Sequence, residues 1–257
     1  MDLIRRLFTA ALVAGVLSGT AASVVQQATT VPLILEAEKY EVVTPPPAPA
    51  VAAPGAAAAG ESHQHGPVRE VGEGVPTTLD EAMQRIGLTI ASNLLTGVAY
   101  ALLLSAAMLL AGRPVDARRG LVWGAGGFIA VSLAPSFGLA PELPGMAGAE
   151  LELRQLWWLS AAAGAGAGVA ALAFARNRLV IAAAVLAAAL PHLIGAPHPE
   201  SAEGAVPPEL AAHFVTASLG SAALFWAILG AACGWLMSGL VRETDHRPAL
   251  RAQPGAR

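Results

Sequence analysis

The run IGLTIASNLLTGVAYALLLSAAMLLA, residues 86–111, decides the fold class, because it is long, apolar and free of charged side chains. About 20 apolar residues in a helix cross the hydrocarbon core of a bilayer. The whole chain agrees with this run: of its 257 residues, 55% are hydrophobic and 13% are charged, against about a quarter charged in typical soluble proteins. The sequence therefore predicts an all-α, polytopic membrane helical bundle.

Five further apolar runs bring the predicted number of transmembrane helices to six. The first run also fits a cleaved signal peptide, but it continues past any plausible cleavage point. The fifth run is the weakest, because Asn177 barely separates it from the fourth and Pro191 falls near its end. Five spans are therefore the alternative, if the first or the fifth run does not cross. The six runs lie at 7–25, 86–111, 120–138, 156–175, 179–195 and 213–240.

The chain reads as a single integral membrane domain, residues 1–257, with three polar segments. Residues 26–41 are too polar at both ends to span, so we expect them to lie on the membrane surface or to fold back onto the bundle. A Pro/Ala-rich stretch within residues 44–75 is typical of an extended linker. Residues 241–257 form a predicted cytoplasmic tail.

Small residues recur at four-residue spacing in three of the apolar runs, at 120–124, 164–168 and 230–234. In lipid, such spacing lets two helix backbones approach closely. We read these repeats as support for a compact bundle.

With six spans, basic and acidic residues fall mainly on opposite sides of the membrane. Eleven of the 15 lysines and arginines fall on one side, which the positive-inside rule assigns to the cytoplasm together with both termini. Fourteen of the 18 carboxylates fall on the other side, with five of the six histidines. A negative outer face raises the local concentration of cations, so the sequence favours cation capture from outside.

The sharpest cluster of candidate metal ligands lies in the last outer turn, Leu190-Pro-His-Leu-Ile-Gly-Ala-Pro-His-Pro-Glu200, and in the helix start that follows. Glu209 and His213 are four residues apart, so a helix presents both on one face. Imidazole and carboxylate suit zinc, nickel and cobalt. The candidate metal ligands are His192, His198, Glu209 and His213, with His63 and His65 in the linker as a weaker collecting site.

Other polar side chains mark a candidate pathway through or into the bundle. A polar residue at membrane depth usually faces the bundle interior or a water-filled path, which singles out Asn93 in the second run. Trp157 and Trp158 are typical of an anchor at the membrane interface. The other candidate pathway residues, all on the outer side, are Glu36, Glu38, Glu142 and Arg154.

Several function classes find no support in the sequence. No glycine-rich phosphate loop, zinc-protease motif or nucleophile elbow occurs, so the chain is not predicted to be an enzyme. Cys233 is the single cysteine, which excludes an intrachain disulfide and a thiolate metal cluster. Nucleic acid is not an expected partner, whereas the lipid bilayer is.

Several segments together form a pattern that is more specific than any one of them. They are the basic N-terminus and first span, Gln27 through Pro32-Leu-Ile-Leu-Glu-Ala-Glu-Lys-Tyr-Glu41, the histidine-bearing linker, Pro141-Glu-Leu-Pro-Gly145, Arg154-Gln-Leu-Trp-Trp158, Pro191-His-Leu-Ile-Gly-Ala-Pro197 and residues 209–218. With these segments the chain resembles the CbtA family of proposed cobalt transporter subunits associated with vitamin B12 synthesis. The resemblance implies five spans, a cobalt substrate, and a small single-span partner with a histidine-rich tail, CbtB.

The sequence thus predicts a bacterial inner-membrane protein that takes up a divalent cation, cobalt first and nickel or zinc as alternatives, with no tightly bound cofactor. Because imidazole binds metal only when neutral, we expect weaker capture in acid. Homo-oligomerisation is left open. The alternatives are a haem-carrying redox subunit, with His192 and His213 as axial ligands, and a metal-binding scaffold or sensor that does not transport.

Overall fold

The computed structural model describes residues 2–41, 78–199 and 205–251, which form helices, turns and loops without a β-strand. The prediction of an all-α fold is confirmed for that part of the chain. The helical segments are α1 (Asp2–Ala28), α2 (Thr30–Glu41), α3 (Leu79–Ala111), α4 (Ala117–Gly127), a π-helical segment (Phe128–Leu133), α5 (Ala134–Ser136), α6 (Leu151–Phe174), α7 (Arg178–Ile194) and α8 (Pro208–Arg251).

Within the described residues, four helical stretches are long and apolar enough to cross a membrane: Ile4–Ala28, Leu79–Ala111, Leu151–Phe174 and Pro208–Ser238. The two other predicted spans are also helical. The run at 120–138 is formed by α4, the π-helical segment and α5, which follow one another without a break, and the run at 179–195 is formed by α7. The 17 residues of α7 extend about 25 Å at 1.5 Å per residue, somewhat less than a typical hydrocarbon core. The count of six spans stays a prediction.

Local sequence explains where α3 begins and ends. The Thr78 hydroxyl accepts a hydrogen bond from the backbone N–H of Glu81, and the Glu81 side chain accepts one from the N–H of Thr78. This reciprocal capping box satisfies two backbone donors that the first turn leaves free. At the other end Gly112 adopts a left-handed conformation, with φ of 62°, which favours glycine.

Glycine lets three antiparallel helix pairs form close contacts. A Cβ added to Gly120 of α4 would lie 2.2 Å from the carbonyl oxygen of Gly230 in α8. A Cβ on Gly15 of α1 would lie 2.5 Å from the Cα of Val98 in α3, and one on Gly164 of α6 would lie 2.6 Å from the Ala187 oxygen in α7. The repeats at 120–124, 164–168 and 230–234 therefore do lie at helix contacts.

The pairing of helices divides the bundle into a core and a hairpin. Helices α1, α3, α4 and α8 pack against one another, and we call them the four-helix core. Helix α6 joins this core mainly through the π-helical segment and α5, whereas α7 packs only against α6 among the described elements. The hairpin of α6 and α7 is therefore attached to the core by one helix.

The two ends of the bundle differ in charge. Arg113 and Arg119 lie where α3 passes into α4, and the Arg113 guanidinium stacks on Phe174 at the end of α6. We call this the basic end. At the opposite, acidic end, Glu38 of α2 and Glu142 lie beside the starts of α3 and α6.

Residues 26–41, expected on the membrane surface or folded back onto the bundle, take the second arrangement. Helix α2 follows α1 after the single turn residue Thr29 and packs against both α1 and α8. Ala37 is fully buried, in a cluster with Leu143 and Phe214. Helix α2 therefore covers the acidic end of the core.

Candidate functional site

A cavity of about 460 Å³, lined by both apolar and polar side chains, lies between α1, α3 and α8 under α2. We call it the deep cavity. Thr89, Asn93, Thr96 and Tyr100 follow one another at intervals of three or four residues on α3, so one face of this helix supplies a polar stripe. The other polar lining residues are Gln26, Thr30, Ser132, Ser218 and Ser221.

Asn93 is fixed within this cavity by hydrogen bonds to α1. Its side-chain amide donates to the side-chain oxygen Oε1 of Gln26 at 2.7 Å and to the Ser23 hydroxyl at 3.1 Å. The helices come this close because α1 has Gly19 opposite the Asn93 backbone, where a Cβ would lie 2.6 Å from the Asn93 carbonyl oxygen. The predicted interior position of Asn93 thus follows from a glycine contact that the polar pattern alone does not show.

The π-helical segment contributes the hydroxyl of Ser132 to the same cavity. Ser132 lies in this segment, and its hydroxyl accepts a hydrogen bond of 3.2 Å from the Trp226 indole N–H. Pro135, just beyond it, has no backbone N–H to donate. Short π-helical segments in longer helices are frequent at functional sites. Ser132 was not predicted, although a proline inside an apolar run is a signal for an irregular helix there.

A second cavity, of about 680 Å³, opens toward the acidic end between the π-helical segment, α6 and α8. We call it the mouth cavity. Glu142 and Arg154, both predicted, line it and form an ion pair of 2.6 Å. The two cavities share five lining residues: Val131, Ser132, Trp158, Ser218 and Ala222.

Helix α2 forms one wall of the deep cavity and is held in place by an ion pair. Thr30, Val31 and Ile34 line the cavity. The buried Glu38 carboxylate accepts two hydrogen bonds from the Arg85 guanidinium on α3, one of them 3.1 Å long. Glu38 therefore fastens the helix over the cavity. Glu36, in contrast, pairs with Lys39 on the exposed side of α2.

Aromatic rings close the deep end of the cavity. Tyr100 lies 5.0 Å from Trp226 and 6.3 Å from Phe225, measured between ring centroids. Beyond them, toward the basic end, Leu104, Met108 and Leu229 belong to the packed hydrophobic core. The polar lining therefore stops at these rings.

His192 and His198 lie together at the edge of the hairpin. Both line a cavity of about 420 Å³ with Trp157 and Gly195. The imidazole of His192 meets the Trp157 ring edge-on at 5.4 Å, and the Trp157 indole N–H donates to the Pro191 carbonyl oxygen at 3.0 Å. Trp157 is buried inside the protein, so the structure does not support its predicted role as an interface anchor.

Glu209 and His213 lie in the first turns of α8, four residues apart and exposed, as the sequence indicated. Their helix does not pack against α7, which carries His192. Among the described residues, no group of three histidine, cysteine, aspartate or glutamate side chains is placed to hold a metal ion. The structure thus brings His192 together with His198 rather than with His213. His63 and His65, with the linker, lie outside the described residues.

Comparison with protein families gives one match. The family described as "Probable cobalt transporter subunit (CbtA)" matches residues 4–238, a range that contains every residue of both cavities. No curated protein and no solved structure matches the chain.

Proposed function

We propose, since this chain belongs to the CbtA family of probable cobalt transporter subunits, that it passes a divalent cation, cobalt first, through the mouth cavity into the deep cavity. The observation that carries the proposal is the shared lining of the two cavities at Ser132, Trp158 and Ser218. The two cavities together extend from the carboxylate of Glu142 in the mouth cavity to the ring of Tyr100 in the deep cavity.

Capture begins at the mouth cavity, where Glu142 offers carboxylate oxygens to an arriving cation. Its ion pair with Arg154 is partly exposed, with about a quarter of the Glu142 side chain accessible. Ion pairs of this kind contribute only about 0–1 kcal/mol, so a divalent cation displaces the guanidinium at small cost. The other carboxylates predicted on the outer side raise the local concentration of cations around this cavity.

The deep cavity then offers neutral oxygen ligands. Its lining contains amide and hydroxyl groups from Gln26, Asn93 and Ser218, and none of the described residues that line it is charged. A fully dehydrated cation among neutral groups is costly, so the ion keeps part of its water shell here. Weak, multiple ligands also allow release, which conduction requires.

The aromatic rings of Tyr100, Phe225 and Trp226 block further passage toward the basic end. The arrangement corresponds to a pathway that is accessible from the acidic end and closed at the other. Hydrophobic constrictions of this kind gate pores by excluding water. Movement of α8 relative to α3 opens this barrier in the proposed cycle, because these helices carry the three rings.

His192 and His198 form a separate collecting site in this proposal. Two imidazoles bind borderline divalent metals, and the remaining ligands come from water, from the histidines of the linker, or from a CbtB-like partner subunit. Because protons compete with the metal for imidazole nitrogen, uptake weakens in acid. We place the protein in the bacterial inner membrane, with six spans and both termini in the cytoplasm.

Blocking the passage between the two cavities tests the proposal. In cells that accumulate radioactive cobalt, Ser218→Phe is expected to lower uptake at least tenfold, because Ser218 lines both cavities. Thr216→Phe is the matched control, since Thr216 is exposed on the same helix and lines neither cavity. Wild-type uptake by Ser218→Phe, at equal membrane abundance, contradicts the proposal.

A further inference from the structure

An apolar groove of about 690 Å³ runs between α3, α4 and α6 at the basic end, and it shares no residue with the mouth or deep cavity. Its floor is made of small residues, with Gly126 and Gly127 from α4 and Gly166 and Ala170 from α6. The volume lies within the range of about 300–1,000 Å³ common for small-molecule sites.

The open end of the groove carries positive charge. Arg113 and Arg119 line it and are exposed. Arg113 stacks over Phe174 at 4.8 Å, and Arg119 donates to the Pro114 carbonyl oxygen at 2.6 Å. In the part of the chain that the structure describes, no carboxylate lies within ion-pair distance of either guanidinium, and the Asp116 carboxylate interacts with Arg119 only through its backbone N–H and at longer range. Both cations therefore keep donors available for an anion.

We infer that this groove binds an anionic phospholipid of the surrounding bilayer, with its phosphate on Arg113 and Arg119 and an acyl chain along the glycine-lined floor. Basic pockets between transmembrane helices on the cytoplasmic side bind anionic headgroups. The groove is too small for a transmembrane helix, which is about 10–12 Å across and 30 Å long. A single acyl chain matches its apolar lining of small residues.

Trp123 provides a direct readout, because it lines the groove and lies 5.6 Å from Phe174. The full-length protein is placed in bilayers that contain phosphatidylglycerol or phosphatidylcholine with brominated acyl chains, which quench nearby tryptophan fluorescence. Subtracting the signal of Trp123→Phe isolates quenching at the groove. We expect stronger quenching by the anionic lipid.

The arginines are tested by Arg113→Gln combined with Arg119→Gln. Each basic residue near a membrane surface contributes roughly fivefold to anionic-lipid affinity, so the double variant is expected to lose the preference by about twenty-five-fold. Arg176→Gln with Arg178→Gln is the matched control, because Arg176 lies in the loop between α6 and α7, Arg178 begins α7 at the same end, and neither residue lines the groove.

A second variant tests the groove itself. Ala170→Leu fills the floor without changing the charge, and it is expected to lower Trp123 quenching by both lipids. The inference is overturned by equal quenching from the two lipids in the wild type, by a preference that survives in the double arginine variant, or by unchanged quenching in Ala170→Leu. Absence of any quenching, as when another protein chain covers the groove, also overturns it.

Discussion

The four-helix core and the α6–α7 hairpin hold their polar residues in different ways. In the core, Asn93 donates to both Gln26 and Ser23, and Trp226 donates to Ser132 of the adjoining π-helical segment. On the hairpin, the exposed His192 contacts a tryptophan ring and His198 lies at the open edge of its cavity. Core polar groups are thus fixed by one another, whereas the imidazoles remain accessible.

This difference assigns the two regions different tasks in the proposed function. A pathway needs ligands that are held in place and bind weakly, which neutral amides and hydroxyls in a packed core provide. A collecting site needs accessible nitrogen ligands, which the hairpin supplies. Metal-binding residue types alone pointed to the histidines, whereas the deep cavity offers the amide and hydroxyl oxygens of its polar lining residues.

The largest effect is expected from breaking the close packing of the core. A Cβ on Gly230 would lie 2.3 Å from the Gly120 carbonyl oxygen and 2.8 Å from the backbone of Gly124. Backbone atoms cannot move aside locally, so Gly230→Ala forces α4 and α8 apart. We expect a loss of about 3 kcal/mol of stability, the upper end of the range usual for an overpacked core, measured by thermal unfolding in detergent.

Gly220→Ala in the same helix is the matched control, because a Cβ there meets no atom within 4 Å. It is expected to leave the melting temperature unchanged or slightly raised, since alanine favours a helix more than glycine does. Equal melting temperatures for the two variants would contradict the described contact between α4 and α8.

The next largest effect concerns the attachment of α2 to the core. Glu38→Gln removes the charge that pairs with Arg85; the Glu38 side chain is 6% exposed and that of Arg85 41%. We expect this substitution to lower the free energy of unfolding by about 2 kcal/mol, a value between those typical of exposed and of buried ion pairs. Thermal unfolding checks this value. Glu36→Gln, which breaks only the exposed pair with Lys39, is expected to cost less than about 0.5 kcal/mol.

The hairpin histidines are expected to affect uptake rather than stability. His192→Ala combined with His198→Ala removes both imidazoles from one cavity, and we expect the apparent affinity for cobalt uptake to fall by about tenfold. Glu209→Ala with His213→Ala serves as the comparison, because these residues are exposed on α8 and line neither the histidine cavity nor the pathway. A larger loss in this second pair would move the collecting site to α8.

The smallest effect concerns Asp116 in the loop before α4. The backbone N–H of Arg119 donates to its carboxylate and holds the pKa of Asp116 below its ordinary value. A lowered pKa means that the stabilisation is present at neutral pH and is lost as pH falls through the folded-state value. Asp116→Asn keeps the helix cap but removes this pH dependence. The melting temperature of both proteins, measured between neutral and acidic pH, is expected to fall more steeply in the wild type. An equal fall in melting temperature for both proteins would contradict the prediction.

Much of the fold follows from the sequence alone. Apolar length identifies the helices, because the hydrocarbon core requires about 20 such residues whatever their neighbours are. Polarity at depth placed Asn93 toward the interior, and the sorting of charge predicted the acidic and basic ends. Glycine repeats marked three faces where helices come close. Apolar length, polarity at depth and glycine spacing can each be read from one segment, because they depend on that segment and the bilayer and not on its neighbours.

Only the tertiary structure decided which segments meet. Gln26, Ser132 and Ser218 come from three separate helices and line one cavity, and nothing in their own segments indicates that they share it. His192 joins His198 rather than His213 because α7 packs on α6 and leaves α8 to the core. The physical reason is that helix pairing depends on the fit of two distant surfaces, whereas the spacing of residues along one helix describes only one of them.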